Sequence, residues 1–159
     1  MPKTVEGHLK ADGLKFDLIV TRFNSFITEQ LLSGALDALR RHGVSDDDLR
    51  IIRIPGSWEL PFTTMRVAKT TTSDAIICLG CVIQGSTDHH NYINSEMAKG
   101  ISSAAIENDI PVTFGVLTTG SIEQAIERAG TKLGNKGADA AMAAIEMANL
   151  SRQLDVAES

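Results

Sequence analysis

The chain has 159 residues, of which 43% are apolar and 22% charged, with a net charge of −5 and a pI of about 5.3. That balance fits an ordinary soluble globular domain with one sizeable core. The acidic excess and the 4% aromatic content argue against a nucleic-acid binder or a stacking platform for single strands, and no apolar run approaches the length of a membrane span.

The stretch Met1 to Lys10 is polar and lacks an apolar h-region, so no secretory signal is evident and the cytoplasm is the expected compartment. Leu14 to Val20 reads as a first strand. Asn24 or Ser25 is placed to cap a helix running to about His42, with Leu31, Leu32, Ala35, Leu36 and Leu39 on one face and Gly43 as the stop. Leu49 to Ile54 is a second strand, Pro55-Gly56-Ser57 turns the chain, and Pro61 suits the first turn of a short helix to about Lys69. Asp74 to Ile83 is a third strand, and a long helix covers roughly His89 to Asn108. Pro111 to Thr118 is the fourth strand. Ser121 with Gln124 resembles a capping box for a helix ending near Ala129. Gly130 to Gly137 is a turn-rich loop, and Ala138 to about Leu154 is the last helix.

Strands alternating with helices predict an α/β three-layer sandwich: a four-stranded parallel sheet with helices on both faces, in a single domain spanning 1–159 with an extended arm at 1–12. Ligands on such sheets sit beyond the carboxyl ends of the strands. Phe23, Ser57-Trp58-Glu59, Ser86 to His89 and Phe114, placed near the end of the fourth strand, all fall at that edge.

The stretch Leu79 to His90 carries the strongest chemical signal. An apolar run ends in Gly85-Ser86-Thr87, and a helical pattern follows the pair His89-His90. A strand emptying into a helix start offers free backbone N–H groups and a positive dipole end to an anion, phosphate above all. Ser86 and Thr87 add hydroxyl donors, although a capped helix with no ligand uses the same residues. His89 has the pKa range of a general acid/base. Trp58 is the only tryptophan, and it suits either a pocket wall or a core plug beneath the loop. A ring at Phe23 is placed to stack on a flat heterocycle. Arg128, Lys132 and Lys136 form a basic segment late in an acidic chain, fit either to meet a phosphate or to sit as cations at a helix end. Cys78 and Cys81 have C-x-x-C spacing, but on a strand residues three apart face opposite ways, so they read as two small buried apolar residues. Neither nucleotide-phosphate loop, G-x-x-x-x-G-K-[ST] or G-x-G-x-x-G, is present.

Together Thr21-Arg22-Phe23-Asn24, Pro55 to Pro61, Leu79 to His89 and Glu123 to Lys132 with Gly134-Asn135-Lys136-Gly137 resemble the lumazine synthase family. The similarity runs from about Gly7 to Leu150. It implies a flavodoxin-like fold and a cofactor-free, metal-free condensation of 5-amino-6-(D-ribitylamino)uracil with 3,4-dihydroxy-2-butanone 4-phosphate, the penultimate step of riboflavin biosynthesis. By motif, the resemblance assigns Phe23 to stacking on the pyrimidine, and Ser57, Trp58 and Glu59 to the ribityl chain and ring edge. Val82 and Ile83 would line the ring pocket. Ser86 and Thr87 would bind phosphate with Arg128 of a neighbouring subunit. Phe114 and Lys136 would complete the pocket across the interface, and His89 would shuttle protons.

Gln84 stands where many members carry Arg, Ser86 where others have Ala, Glu or Gly, and Trp58 where another aromatic is common. None of these departures removes a catalytic group. The resemblance further implies a homo-pentamer. The short Gly130–Gly137 connection favours a 60-subunit icosahedral shell, with riboflavin synthase as a candidate partner inside it. Residues 5 to 10 are expected to add a strand to an adjacent subunit's sheet edge. A ligand-holding protein without turnover would have lost His89 or Arg128, and a purely structural shell would tolerate loss of Phe23, Trp58 and Glu59. All five are retained. A flavodoxin-like electron carrier would need a phosphate loop after its first strand.

Overall fold

A computed structural model describes residues 1–84 and 89–156; residues 85–88 and 157–159, and the side chains of His89 and His90, fall outside that description. The elements in chain order are β1 (Phe16–Thr21), α1 (Ser25–Arg41), β2 (Leu49–Ile54), α2 (Leu60–Thr70), β3 (Ala75–Ile83), α3 (His89–Asn108), β4 (Val112–Thr119), α4 (Ile122–Glu127), β5 (Ala129–Thr131), β6 (Gly134–Asn135) and α5 (Lys136–Val156). Single 3₁₀ turns at Asp46–Asp48 and Ser57–Glu59 flank β2. The main sheet has the order β2-β1-β3-β4, with every pairing parallel. This is the parallel α/β arrangement expected from the alternation, and the flavodoxin-like fold that the family resemblance implies. Among the described residues no helix is long and apolar enough to cross a membrane.

The strand sequences build the two core layers by simple alternation. Phe16, Leu18 and Val20 of β1, with Ala75, Ile77, Leu79 and Cys81 of β3, pack under α1, α4 and α5. Ile19, Ile76 and Cys78 face the other way, against Leu60 and Ala68 of α2 and Met97 and Ile101 of α3. The central strands are buried on both faces and so read as nearly continuous apolar runs. Edge strand β2 is only partly covered, exposed at Arg50, Ile51 and Arg53 and buried at Ile54. It is pinned by Arg50, whose Nε and Nη2 donate to the buried Asp17 at 2.8 and 3.1 Å. Thr71 donates to the same carboxylate.

Alanine-rich α5 lies close on the sheet and on α1. A Cβ on Gly137 would stand 2.0 Å from the Leu31 carbonyl oxygen, and one on Gly115 would stand 3.0 Å from Ala140 Cβ. Gly115 is therefore a point of close approach within β4 and does not end the strand. Phe114, expected near the end of the fourth strand, is instead the third residue of β4, opposite Cys78. It lies about 13 Å short of Thr118, at about 3.3 Å per residue.

Two further boundaries differ from the sequence expectation. The Gly130–Gly137 segment is a small antiparallel hairpin, β5-β6, joined through Lys132 and Leu133. Helix α5 starts at Lys136 because Asn135 Oδ1 accepts from the Ala138 amide at 3.0 Å, a side-chain cap. Ser121 caps α4 as expected, accepting from the Gln124 amide at 3.2 Å, while Gln124 Oε1 accepts from the amide of Gly120. Residues 7–10 lie against α5: Asn149 Nδ2 donates to the carbonyls of His8 and Lys10 at 2.7 and 2.9 Å.

Cys78 and Cys81 diverge into the two core layers as the strand reading requires. Burial penalises the thiolate and pushes Cys78 up to about 12 and Cys81 to about 11. At pH 8 a thiol-reactive reagent should therefore leave both cysteines unlabelled over minutes in the folded chain and label both in denaturant. Rapid labelling of the native protein would contradict the placement.

Candidate active site

The carboxyl ends of β1, β2 and β3 meet at one corner, and backbone hydrogen bonds fix what projects from it. The Arg22 amide donates to the Ile54 carbonyl at 2.8 Å and the Phe23 amide to the Pro55 carbonyl at 3.0 Å, extending contact between the β1 and β2 ends. Asn24 then turns the chain with φ 61 and ψ 44, the left-handed region. The expected side-chain cap on α1 is not made. The Asn24 carbonyl takes the Ile27 and Thr28 amides at 2.9 and 3.1 Å, and Nδ2 donates across the sheet to the Cys81 carbonyl at 3.0 Å. Asn tolerates this backbone better than most residues. Its amide gives β3 a partner where the main-chain pairing of β1 has ended.

The Ser57–Glu59 turn stands beside it. The Glu59 amide donates to the Gly56 carbonyl at 3.2 Å. A Cβ on Gly56 would lie 3.4 Å from Glu59 Oε1 and 3.9 Å from Phe23 Cβ, so the carboxylate and the phenyl ring flank one glycine. Phe23 is 72% exposed and Trp58 63% exposed. Two large rings held open beside a carboxylate make a surface suited to a flat polar ligand or a partner chain. Val82 and Ile83 at the end of β3 are half-buried. They pack toward the α2/α3 and α1/α5 layers respectively. The structure thus gathers Phe23, Ser57, Trp58, Glu59, Val82 and Ile83 at the carboxyl edge of the sheet.

Ser86 and Thr87 lie outside the described residues, as does the side chain of His89. The segment that carries them is anchored on both sides. The Gln84 amide donates to the Thr119 carbonyl at 2.7 Å, Gln84 Nε2 donates to Asn91 Oδ1 at 2.9 Å, and α3 begins at His89. The positive end of the α3 dipole therefore opens on this edge.

Arg128 and Lys136 form a separate group. The β5-β6 hairpin folds back so that the Lys136 amide donates to the Arg128 carbonyl at 2.9 Å. Both residues line a recess with Leu117, Leu133 and Asp139. Asn135 Nδ2 fastens the hairpin to the Gln30 carbonyl of α1 at 3.0 Å. Among the described residues neither cation has an ion-pair partner within 4.0 Å, and no hydrogen bond joins this recess to Phe23, Trp58 or Glu59. Phe114 belongs to neither group: it sits partway along edge strand β4 and is 38% exposed. The expected site residues therefore do not all converge within one chain.

The family model for 6,7-dimethyl-8-ribityllumazine synthase matches residues 13–152. The chain belongs to that family. Proteins named 6,7-dimethyl-8-ribityllumazine synthase from two strains of Clostridium kluyveri are each 58% identical to it over 153 residues, covering 96% of this chain and 99% of theirs. The match spans every strand of the main sheet and both groups of site residues.

Sequence reasoning missed what holds the site. From sequence Asn24 reads only as a candidate helix cap and Asn135 only as part of a loop. The available signal for each was an asparagine at a junction before a helix, where its amide has both a donor and an acceptor to spend. If the left-handed turn and the Cys81 bond both matter, Asn24→Ala loses about 2 kcal/mol in chemical denaturation, and Asn24→Gly, which keeps the turn, about half of that. Equal losses in the two variants would contradict a role for the turn.

Proposed function

We propose that this chain condenses 5-amino-6-(D-ribitylamino)uracil with 3,4-dihydroxy-2-butanone 4-phosphate to give 6,7-dimethyl-8-ribityllumazine, releasing phosphate and water, in the penultimate step of riboflavin biosynthesis. It is a transferase. The observation that carries this reading is the 58% identity to proteins of that name over nearly the whole chain.

The site residues take the following roles. The open face of Phe23 stacks on the pyrimidine. Ser57, Trp58 and Glu59 hold the ribityl chain and the ring edge, and Val82 and Ile83 line the ring pocket. Ser86 and Thr87 at the start of α3 hold the phosphate, where the helix dipole favours the anion. Arg128 joins them from a neighbouring chain as a charge-assisted donor, and Phe114 and Lys136 reach the site the same way. The lack of an ion partner for Arg128 and Lys136 among the described residues, and the position of Phe114 back along β4, support a site shared between chains.

In the reaction an amine attacks the ketone and a C–N bond forms as water leaves. Phosphate departs by elimination, and the second amine closes the ring by adding to the remaining carbonyl carbon, whose oxygen leaves as a second water. Each step moves a proton, and His89 at the first turn of α3 is the group that carries it. Little of this chemistry is intrinsically difficult, so positioning supplies much of the acceleration. The assembly is a homo-pentamer, and the short Gly130–Gly137 segment, which carries no insertion, favours its closure into a 60-subunit shell, with riboflavin synthase as a candidate partner. The cytoplasm is the compartment in which this pathway step belongs.

Mixing the purified chain with both substrates should generate the fluorescent product with release of phosphate; the absence of both would refute the activity. His89→Ala should slow turnover by roughly tens-fold, within the span ascribed to general acid–base catalysis, and loss beyond detection would refute the weight given to positioning. Arg128→Ala should mainly raise KM for the phosphorylated substrate, and an unchanged KM would remove Arg128 from the phosphate site.

A further inference from the structure

Thr21, the last residue of β1, is 1% exposed. Its backbone carbonyl accepts the Thr28 hydroxyl at 2.7 Å, yet its own Oγ1 has no hydrogen-bond partner among the described residues. A buried hydroxyl without a partner costs about 1–3 kcal/mol, and such groups in native proteins are few. The hydroxyl faces Gly80 on β3. The point a Cβ would occupy on Gly80 lies 3.4 Å from Thr21 Oγ1 and 3.1 Å from Ser57 Oγ. A glycine at this position thus leaves two hydroxyls converging on one spot beneath the Ser57–Glu59 turn. Those hydroxyls do not bond each other, and Ser57 Oγ makes no other hydrogen bond among the described residues.

We infer that Thr21 is a positioning residue for the Ser57 hydroxyl: when the site takes a ligand bearing a chain of hydroxyls, Ser57 donates to the ligand and accepts the proton of the Thr21 hydroxyl. This deepens the proposed function and rests on it, because the ribityl chain supplies such hydroxyls. The two-member chain satisfies the orphaned group only in the occupied site. It also orients Ser57 as a donor, since its lone pair is engaged from below, and polarises it, since linked hydrogen bonds strengthen one another. Gly80 acts with Thr21 by leaving the space between the two oxygens free of a methyl group.

Trp58 is the only tryptophan and stands next to Ser57, so its fluorescence reports binding of 5-amino-6-(D-ribitylamino)uracil to the assembled protein. Thr21→Val, which keeps the shape and removes the hydroxyl, should weaken this binding by about 2- to 10-fold, the worth of one neutral hydrogen bond. Thr21→Ser should restore it. KM for the phosphorylated ketone should not move. In a Ser57→Ala background, Thr21→Val should have no further effect, because the coupling runs through Ser57. A Thr21→Val protein that binds the pyrimidine as tightly as the parent, or a loss that persists undiminished without Ser57, would overturn the assignment. A parent protein whose Trp58 emission ignores the pyrimidine would refute the underlying functional reading instead.

Discussion

The hydrogen bond from Asn24 Nδ2 to the Cys81 carbonyl is the constraint on which the candidate site depends. A parallel sheet delivers its strand ends to one edge, but it does not say how the chain leaves them. Main-chain pairing between β1 and β3 stops at Val20 and Leu79, and beyond it the two ends are free to separate. The Asn24 amide closes that gap while its left-handed backbone turns the chain into α1. Phe23 is thereby held open beside Glu59 and Gly56, with the end of β3 at a fixed distance. A network lower in the sheet, the buried Asp17 with Arg50 and Thr71, fixes the opposite end of the edge strand. The strand ends are consequently rigid where the rings project.

The distribution of charge and exposure follows a second logic. The aromatic and carboxylate group sits on the β1–β2–β3 corner, and the cations flank the β5-β6 hairpin, Arg128 at the end of α4 and Lys136 at the start of α5, with the hairpin itself tied to α1. Among the described residues Arg128 and Lys136 have no ion-pair partner within an otherwise acidic chain, an arrangement that leaves both charges open. It suits a surface that meets an anion held mainly by another copy. The exposed Phe23, Trp58 and Phe114 rings fit the same arrangement, because each is too apolar to be left in water without a use.

Much of the fold was legible because its signals are local. Central strands buried on both faces read as apolar runs, α1 shows its apolar face at helical spacing, and Pro61 and Ser121 mark helix starts by chemistry that needs no tertiary partner. The divergence of Cys78 and Cys81 followed from the two-residue period of a strand alone. The misreadings share the opposite property. The β5-β6 hairpin depends on Asn135 reaching Gln30, more than a hundred residues away. Phe114 reads as close to a strand end unless the full run of β4 to Thr119 is known. Asn24 looks like a cap because nothing near it in sequence reveals Cys81. Thr21 gave no signal at all, since an unpaired hydroxyl is visible only when its surroundings are. Within the candidate site, residue types were readable from motifs, while the assignment of Phe114, Arg128 and Lys136 to a neighbouring chain came only with the family resemblance.

Subunit complementation tests that partition most directly. Phe23→Asp disables the ring face and Arg128→Glu the cation face, so each variant alone should be nearly inactive at low concentrations of the phosphorylated substrate. Co-assembled in equal amounts, the two should recover about a quarter of the parent activity, because one site in four then pairs an intact ring face with an intact neighbouring cation face. Mixed assemblies that stay as inactive as either variant would show that both groups serve one chain, and would contradict the shared site.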